Sequence, residues 1–151
     1  MNIAFSGHRP NKIRDSSAVR AAVRDFLISV HNAHRDLMVL SGGAVGFDTI
    51  VADCCVELGI PFTLVLPFPP DVMTARWPRS SRDHLRSLMD EAFDVVVLSD
   101  HFSFAGYQVR NEYMVDRADL LCAYWDGSRG GTANTVEYAH RKGVPVKNLW
   151  Q

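Results

Sequence analysis

The sequence has no excess of charge of either sign: sixteen Lys and Arg against seventeen Asp and Glu leave a net charge of -1. No global field draws such a chain to a nucleic-acid backbone or an anionic membrane, so any phosphate recognition has to be local. Apolar runs approaching the ~20 residues that span a bilayer are missing. The N-terminal MNIAFSGHRP goes directly into folded-looking sequence with no charged-then-apolar leader, and the expectation is a cytoplasmic protein with no membrane partner. Cysteine is scarce. Cys54 and Cys55 fall in an expected helix and Cys122 in an expected strand, all among apolar neighbours. They lack metal-ligand spacing, which points to buried thiols rather than a metal or redox centre. No metal and no cofactor are expected, and no repeat or low-complexity tract is present.

What the sequence does contain is apolar content, 47% of 151 residues, enough for one core and too little for two comfortable domains. The expectation is a single domain over residues 1–151. Strand-like and helix-like segments alternate. NIAFS, LMVLS, IPFTLVLPF, FDVVVLSD, DLLCAYW and VPVKNLW read as strands. The segment from Asp15 places Val19, Ala22, Val23, Phe26, Leu27 and Val30 on one helical face, with Asp15 or Ser16 as its cap. Further helices are expected in VGFDTIVADCCVEL, stopped by Gly59, and in SRDHLRSLMDEAF, YQVRNEYMVDRA and TANTVEYAHRKG. PPDVMTARWPRSS is the one long irregular connection. Nearly continuous apolar strands separated by helices imply an α/β fold: a three-layer Rossmann-like domain with a mainly parallel sheet covered on both faces. Ligands of such sheets bind beyond the carboxyl ends of the strands.

The segments that follow the strands carry the chemistry. SGGAVGFD, Ser41 to Asp48, is a glycine-rich strand-to-helix turn of the kind that brings backbone N–H groups to an anion. Ser41, Gly42 and Gly43 are therefore candidate ligand-binding residues, and Gly46 lets the helix start close to the sheet. Asp48 falls in the first helical turn, where a carboxylate either caps the helix or meets a ribose or a water. GSRGGT, Gly127 to Thr132, is a second such turn, and Gly130, Gly131 and Thr132 suit a phosphate at a helix N-terminus. Arg110 offers a planar fork of donors to phosphate, and Asn111 beside it and Asn134 just after GSRGGT are further candidate ligand-binding residues. In SGHRP, Gly7, His8 and Arg9 follow the first strand. His8 either carries a proton near neutral pH or holds the loop by hydrogen bonds. Trp77 in the long connection either stacks on a base or packs on the core.

SGHRP, SGGAVGFD, LPFP, RNEYMVDRADLLCAYWDG and GGTANTVEYA together resemble the YpsA-like branch of the SLOG superfamily over nearly the whole chain. The resemblance implies a Rossmann-like sheet and a nucleotide or nucleotide-derived ligand, of NAD or ADP-ribose type, on the rim just described. Two relatives imply different activities. Ser41 to Asp48 is similar to the SGxAxGxD segment of DNA-processing protein A, but the balanced charge argues against nucleic acid. Arg110, Asn111, Met114, Asp119 and Gly130 to Thr132 resemble motifs of LOG-type phosphoribohydrolases, which cleave the N-glycosidic bond of nucleoside monophosphates. The resemblance implies a catalytic glutamate three residues after Thr132, where Thr135 stands instead. Glu137 lies two residues further, rotated by about 200° on a helix. Glu137 therefore does not simply substitute, and Asp48, Asn134 and His8 are the replacements; if the ligand is cut, the candidate catalytic residues are Asp48, His8 and Glu137, with Asp48 first. A sensor or sequestering module needs only the glycines, Thr132 and Arg110. A homo-oligomer is compatible with the resemblance, and no motif specifies one.

Overall fold

Alternation of buried strands with one-sided helices has a single compact solution, a sheet with helices on both faces. The computed structural model describes all of residues 1–151. In chain order it runs β1 (Asn2–Gly7), a 3-10 turn (Pro10–Lys12), α1 (Ser16–Ala33), β2 (Met38–Ser41), α2 (Phe47–Leu58), β3 (Phe62–Leu66), α3 (Pro70–Met73), α4 (Arg79–Glu91), β4 (Asp94–Val97), α5 (Gly106–Asp116), β5 (Leu120–Tyr124), α6 (Gly131–Lys142) and β6 (Val146–Asn148). The six strands form one sheet in the order β4-β3-β2-β1-β5-β6, and every neighbouring pair is parallel. The α/β, Rossmann-like architecture read from the sequence is therefore the observed one.

Because successive side chains of a strand point to opposite faces, the sheet divides two cores. Ile3 and Phe5 of β1, Val39 of β2 and Leu64 and Leu66 of β3 pack with Val19, Val23 and Leu27 of α1, with α2, and with Leu85 and Leu88 of α4. Ala4, Leu40, Val65, Leu121 and Ala123 face the other way, onto Met114 and Val115 of α5 and Val136 and Ala139 of α6. Truncating a large fully buried member such as Leu27 costs about 2–5 kcal/mol in comparable cores. All three cysteines are buried free thiols, and burial raises the pKa of each.

Helix ends follow local chemistry. The Asp15 carboxylate, rather than Ser16, caps α1 by accepting the Ala18 N–H at 3.1 Å. Gly59 ends α2 in the left-handed region at φ 69°. Two expectations are revised. The connection after β3 contains the short helix α3, for which Pro70 at its first position supplies a preset φ. The last strand stops at Asn148, well short of Trp150. The Asn148 amide donates to the Trp125 carbonyl at 2.9 Å and its oxygen accepts the Trp125 N–H at 3.1 Å. Trp150 then folds over Tyr124, ring centroids 4.9 Å apart.

Candidate functional site

β1 and β5 are neighbours, and strand order runs outward from them in both directions. The connections leaving their carboxyl ends consequently part to opposite faces, opening a crevice at the switch point. The His8 N–H donates to the Tyr124 carbonyl at 3.2 Å, carrying the ladder one residue past β1. Pro10 then turns the chain into its 3-10 turn. The His8 carbonyl accepts the Phe47 N–H at 3.1 Å and so docks this loop on the start of α2. That approach requires glycine at 46: a Cβ there would lie 2.7 Å from the His8 oxygen, and its φ is +113°. Gly46 thus brings the helix against the β1 loop.

Asp126 organises the connection after β5. Its Oδ1 accepts the Ser128 N–H at 2.9 Å and the Ser128 hydroxyl. The Trp125 indole N–H donates to the Ser128 carbonyl at 2.7 Å, and Lys12 reaches across from the β1 loop to the Ser128 hydroxyl oxygen. The Ser128 bonds, with the charges of His8 and Lys12 behind them, hold the Asp126 carboxyl below the usual carboxylate range. Nε2 of His8 lies 2.9 Å from both Oδ1 and the backbone N–H of Asp126. In the tautomer protonated on Nδ1 it accepts the amide, and as imidazolium it donates to the carboxylate. Either way this nitrogen ties the two loops together.

The chain then enters α6 through Gly130, at φ +142°. No side chain caps this helix, and the Asn134 N–H to the Gly130 carbonyl, at 3.0 Å, is the first bond of its ladder. The amides of Gly131, Thr132 and Ala133 therefore have no acceptor in the protein, and those residues line the crevice. Unpaired N–H groups at a helix start carry the positive end of its dipole. A Cβ built on Gly131 would meet nothing within 4 Å.

The SGGAVGFD turn is built differently. The Ser41 hydroxyl donates to the Asp48 carbonyl at 2.9 Å and accepts the Gly43 N–H at 3.3 Å. Asp48 Oδ2 accepts the Ala44 N–H at 3.2 Å. A carboxylate of the chain thereby occupies the place an external anion would take. Arg110, only 3% exposed, projects from α5 under this turn. Its Nη1 donates to the carbonyls of Gly42, at 2.5 Å, and Val65, at 3.3 Å, while Nε donates to Asn111 Oδ1 at 2.8 Å. Nη2 of Arg110 and Oδ1 of Asp48 have no hydrogen-bond partner within the protein, neither is fully buried, and both residues line the crevice. Burial pushes the Asp48 carboxyl up, opposed by the charges of Arg110 and Arg9, and burial lowers Arg110, opposed by Asp48.

The resulting cleft holds about 260 Å³ and carries Arg9, Lys12, Arg110 and Arg129 around a single carboxylate, Asp48. A chain of net charge -1 thus concentrates positive charge at one point. Donors, a helix N-terminus and guanidinium groups together suit an oxyanion such as phosphate.

Of the residues singled out from sequence, Gly7, His8, Arg9, Asp48, Arg110, Asn111, Gly130, Gly131 and Thr132 line this cleft. Ser41, Gly42 and Gly43 do not. They are buried beneath it, with the Gly43 side facing Leu64, Leu66 and Leu85 and its N–H already bonded to Ser41. Asn134 lies outside the cleft one turn along α6. Glu137 is on the exposed side of that helix, paired with Arg141 at 3.1 Å, as the helical rotation relative to Thr135 dictates. Thr135 itself is buried and donates its hydroxyl to the Gly131 carbonyl at 2.8 Å. Sequence reasoning missed Asn11, Lys12, Tyr107, Ser128 and Arg129. Their only sequence signal was proximity to SGHRP, to GSRGGT and to Arg110.

No family model matches the chain. It is 30% identical over 145 residues, covering 86% of this chain and 82% of its counterpart, to YoqJ, an uncharacterized SPbeta prophage-derived protein of Bacillus subtilis strain 168. Among solved structures, DNA processing protein A from Helicobacter pylori, described for its single-stranded DNA binding mode, superposes with a TM-score of 0.71 at 14% identity. That match covers 98% of this chain but 64% of the other, so this chain spans less than two thirds of its length. The molybdenum cofactor binding protein of Rippkaea orientalis superposes with a TM-score of 0.65 at 16% identity, covering 99% of this chain and 76% of the other. Identities this low carry the fold alone. The identity with YoqJ over most of both chains places the two in one family, and the superpositions show a fold that agrees with the resemblance to the SLOG superfamily carried by the motifs from SGHRP to GGTANTVEYA.

Proposed function

We propose that the protein binds a nucleotide or nucleotide-derived molecule of NAD or ADP-ribose type, as a sensor or sequestering module. The phosphate lies on the amides of Gly131 to Ala133, in the cleft that Arg9 and Arg110 also line. The observation that carries this reading is the uncapped start of α6 opening into a cleft with four cationic side chains and one carboxylate. Three parallel donors and a helix dipole are stabilising only for an anion. Ribose hydroxyls would meet the free oxygen of Asp48. One of the solved proteins of the same fold binds the molybdenum cofactor, which agrees with a small-molecule ligand.

A second reading, N-glycosidase action on the same ligand, is favoured by one feature. Asp48 lines the cleft with a carboxylate oxygen that has no partner in the protein, and an oxocarbenium-like transition state is stabilised by such a charge. Against it, Glu137 stands outside the cleft and His8 Nε2 is engaged with Asp126. Single-stranded DNA binding ranks third, because the chain carries no positive excess to follow a backbone.

The deciding experiment incubates the pure protein with nucleoside monophosphates, NAD, ADP-ribose and cyclic ADP-ribose, following both thermal shift and release of free base. Native-state binding raises the melting temperature in proportion to the logarithm of ligand concentration over Kd. A shift without product supports the binder, and product supports the hydrolase. No shift with any phosphate-bearing compound rejects both.

A further inference from the structure

Beyond the cleft the rim of the sheet continues into a second concavity of different chemistry. The connection after β3 contributes Val72, Met73 and Trp77, and the connection between β4 and α5 contributes Phe102 and Phe104, with Tyr107 from the first turn of α5. Seven of its eight lining residues are hydrophobic, around about 440 Å³. Phe104 is 90% exposed, yet it is held rather than loose. Its ring sits 5.1 Å from Phe102, which lies 5.2 Å from Phe68, a fully buried core residue. Gly106 permits this arrangement, since a Cβ there would run into the Phe68 ring. An aromatic side chain left in water forgoes the burial of some 150–250 Å², and a ladder of them fixed to the core is a surface awaiting a flat partner.

Tyr107 lines both the groove and the cationic cleft. The guanidinium carbons of Arg9 and Arg110 lie 5.9 and 6.0 Å from its ring centroid. The surface therefore changes from cationic to aromatic across one residue. A ligand matching both halves carries an anion at one end and a planar aromatic group at the other. The geometry points to the groove as the site of the ligand's base: the nucleobase of a phosphate-anchored nucleotide stacks among Trp77, Phe102, Phe104 and Tyr107. This rests on the phosphate reading above and adds to it where the base goes and that the base contributes affinity. Trp77, which packs partly on the core, would then serve both roles open to it from sequence.

The test compares, by calorimetry, ribose 5-phosphate with the four common nucleoside 5′-monophosphates and ADP-ribose, on the wild type and on Phe104→Ala. Phe104 is exposed enough that its truncation leaves folding intact, verified by an unchanged melting temperature without ligand. The wild type should bind its best base-bearing ligand about ten- to a hundredfold more tightly than ribose 5-phosphate, the usual worth of base stacking on aromatics. Phe104→Ala should lose most of that advantage and keep the ribose 5-phosphate affinity within about twofold. Equal affinity of wild type for ribose 5-phosphate and every base-bearing ligand, or unchanged nucleotide affinity in Phe104→Ala, overturns the base site while leaving the phosphate site standing. Absence of binding by all of these compounds overturns the phosphate reading and this one with it. Sedimentation of both proteins, and binding of a deoxythymidine decamer, complete the set. A wild-type dimer that Phe104→Ala splits, with nucleotide affinity unaltered, assigns the patch to a second copy of the chain and overturns the proposal. A decamer that binds more tightly than any mononucleotide and loses its affinity in Phe104→Ala assigns it to a DNA strand, with the same consequence.

Discussion

Arg110 and Asp48 both crowd the Cβ position of Gly42: a Cβ built on that glycine would lie 2.5 Å from Nη1 of the arginine and 2.9 Å from Oδ2 of the aspartate. The glycine makes room for the guanidinium packed against the turn, and it is buried and does not line the cleft. The Gly42→Ala variant should consequently be destabilised. Arg110 is held by two carbonyls and cannot yield without releasing one of them, and forced shifts of this kind in packed sites cost about 1–3 kcal/mol. Urea unfolding would read this as a lower midpoint at unchanged slope. An alanine variant as stable as the wild type would contradict the tight packing.

Gly131 should behave in the opposite way. Its Cβ direction is open, so Gly131→Val should change folding stability by no more than about 1 kcal/mol. The same side chain would stand over the free amides of α6, and stabilisation by nucleotides should disappear. A variant that keeps the wild-type thermal shift with ligand moves the phosphate elsewhere.

Asp48→Asn separates holding from cutting. The amide oxygen can still accept the Ala44 N–H, while the charge that would stabilise an oxocarbenium-like sugar is gone. In a hydrolase, release of base should fall by orders of magnitude with binding retained. In a binding protein there is no turnover to lose, and only affinity changes. Base release that persists undiminished in the variant removes Asp48 from the chemistry. The alternatives, His8 and Glu137, would then have to move from where the fold holds them.

The link between the two loops predicts a pH dependence. Asp126 has its pKa lowered in the folded protein by Ser128, His8 and Lys12. Its contribution to stability is thus present above the ordinary carboxylate value near ~3.9 and is lost as pH falls through the folded value. The melting temperature of Asp126→Asn should be less sensitive to acidification below about pH 4 than that of the wild type. Equal acid slopes for the two proteins would show that Asp126 does not couple the loops.

The sheet was legible because its signals are local and redundant: six apolar runs, glycine stops at 59 and 143, and a cap at Asp15. The end of β6 was less so, since the ring of Trp150 and the amide of Asn148 act on residues distant in sequence, Tyr124 and Trp125. The site divides in the same way. GSRGGT reads correctly as an open helix start because its N-cap position is Gly130, which has no side chain to cap it. SGGAVGFD looks alike in residue type, but whether its amides are free depends on the rotamers of Ser41 and Asp48, and its Gly42 carbonyl is held by an arginine sixty-eight residues away. Composition cannot report that. Lys12 and Arg129 looked like ordinary surface cations, and only the crossing of β1 beside β5 sets them around one cleft.

The most direct test of the central claim is amide NMR of the 15N-labelled protein during titration with a nucleoside 5′-monophosphate. The account predicts that the largest shift changes fall on the amides of Gly131, Thr132 and Ala133, with the Arg110 guanidinium signals moving in parallel. Saturable changes centred instead on Ser41 to Ala44 or on any surface remote from the β1–β5 crevice would contradict it, as would none at millimolar ligand.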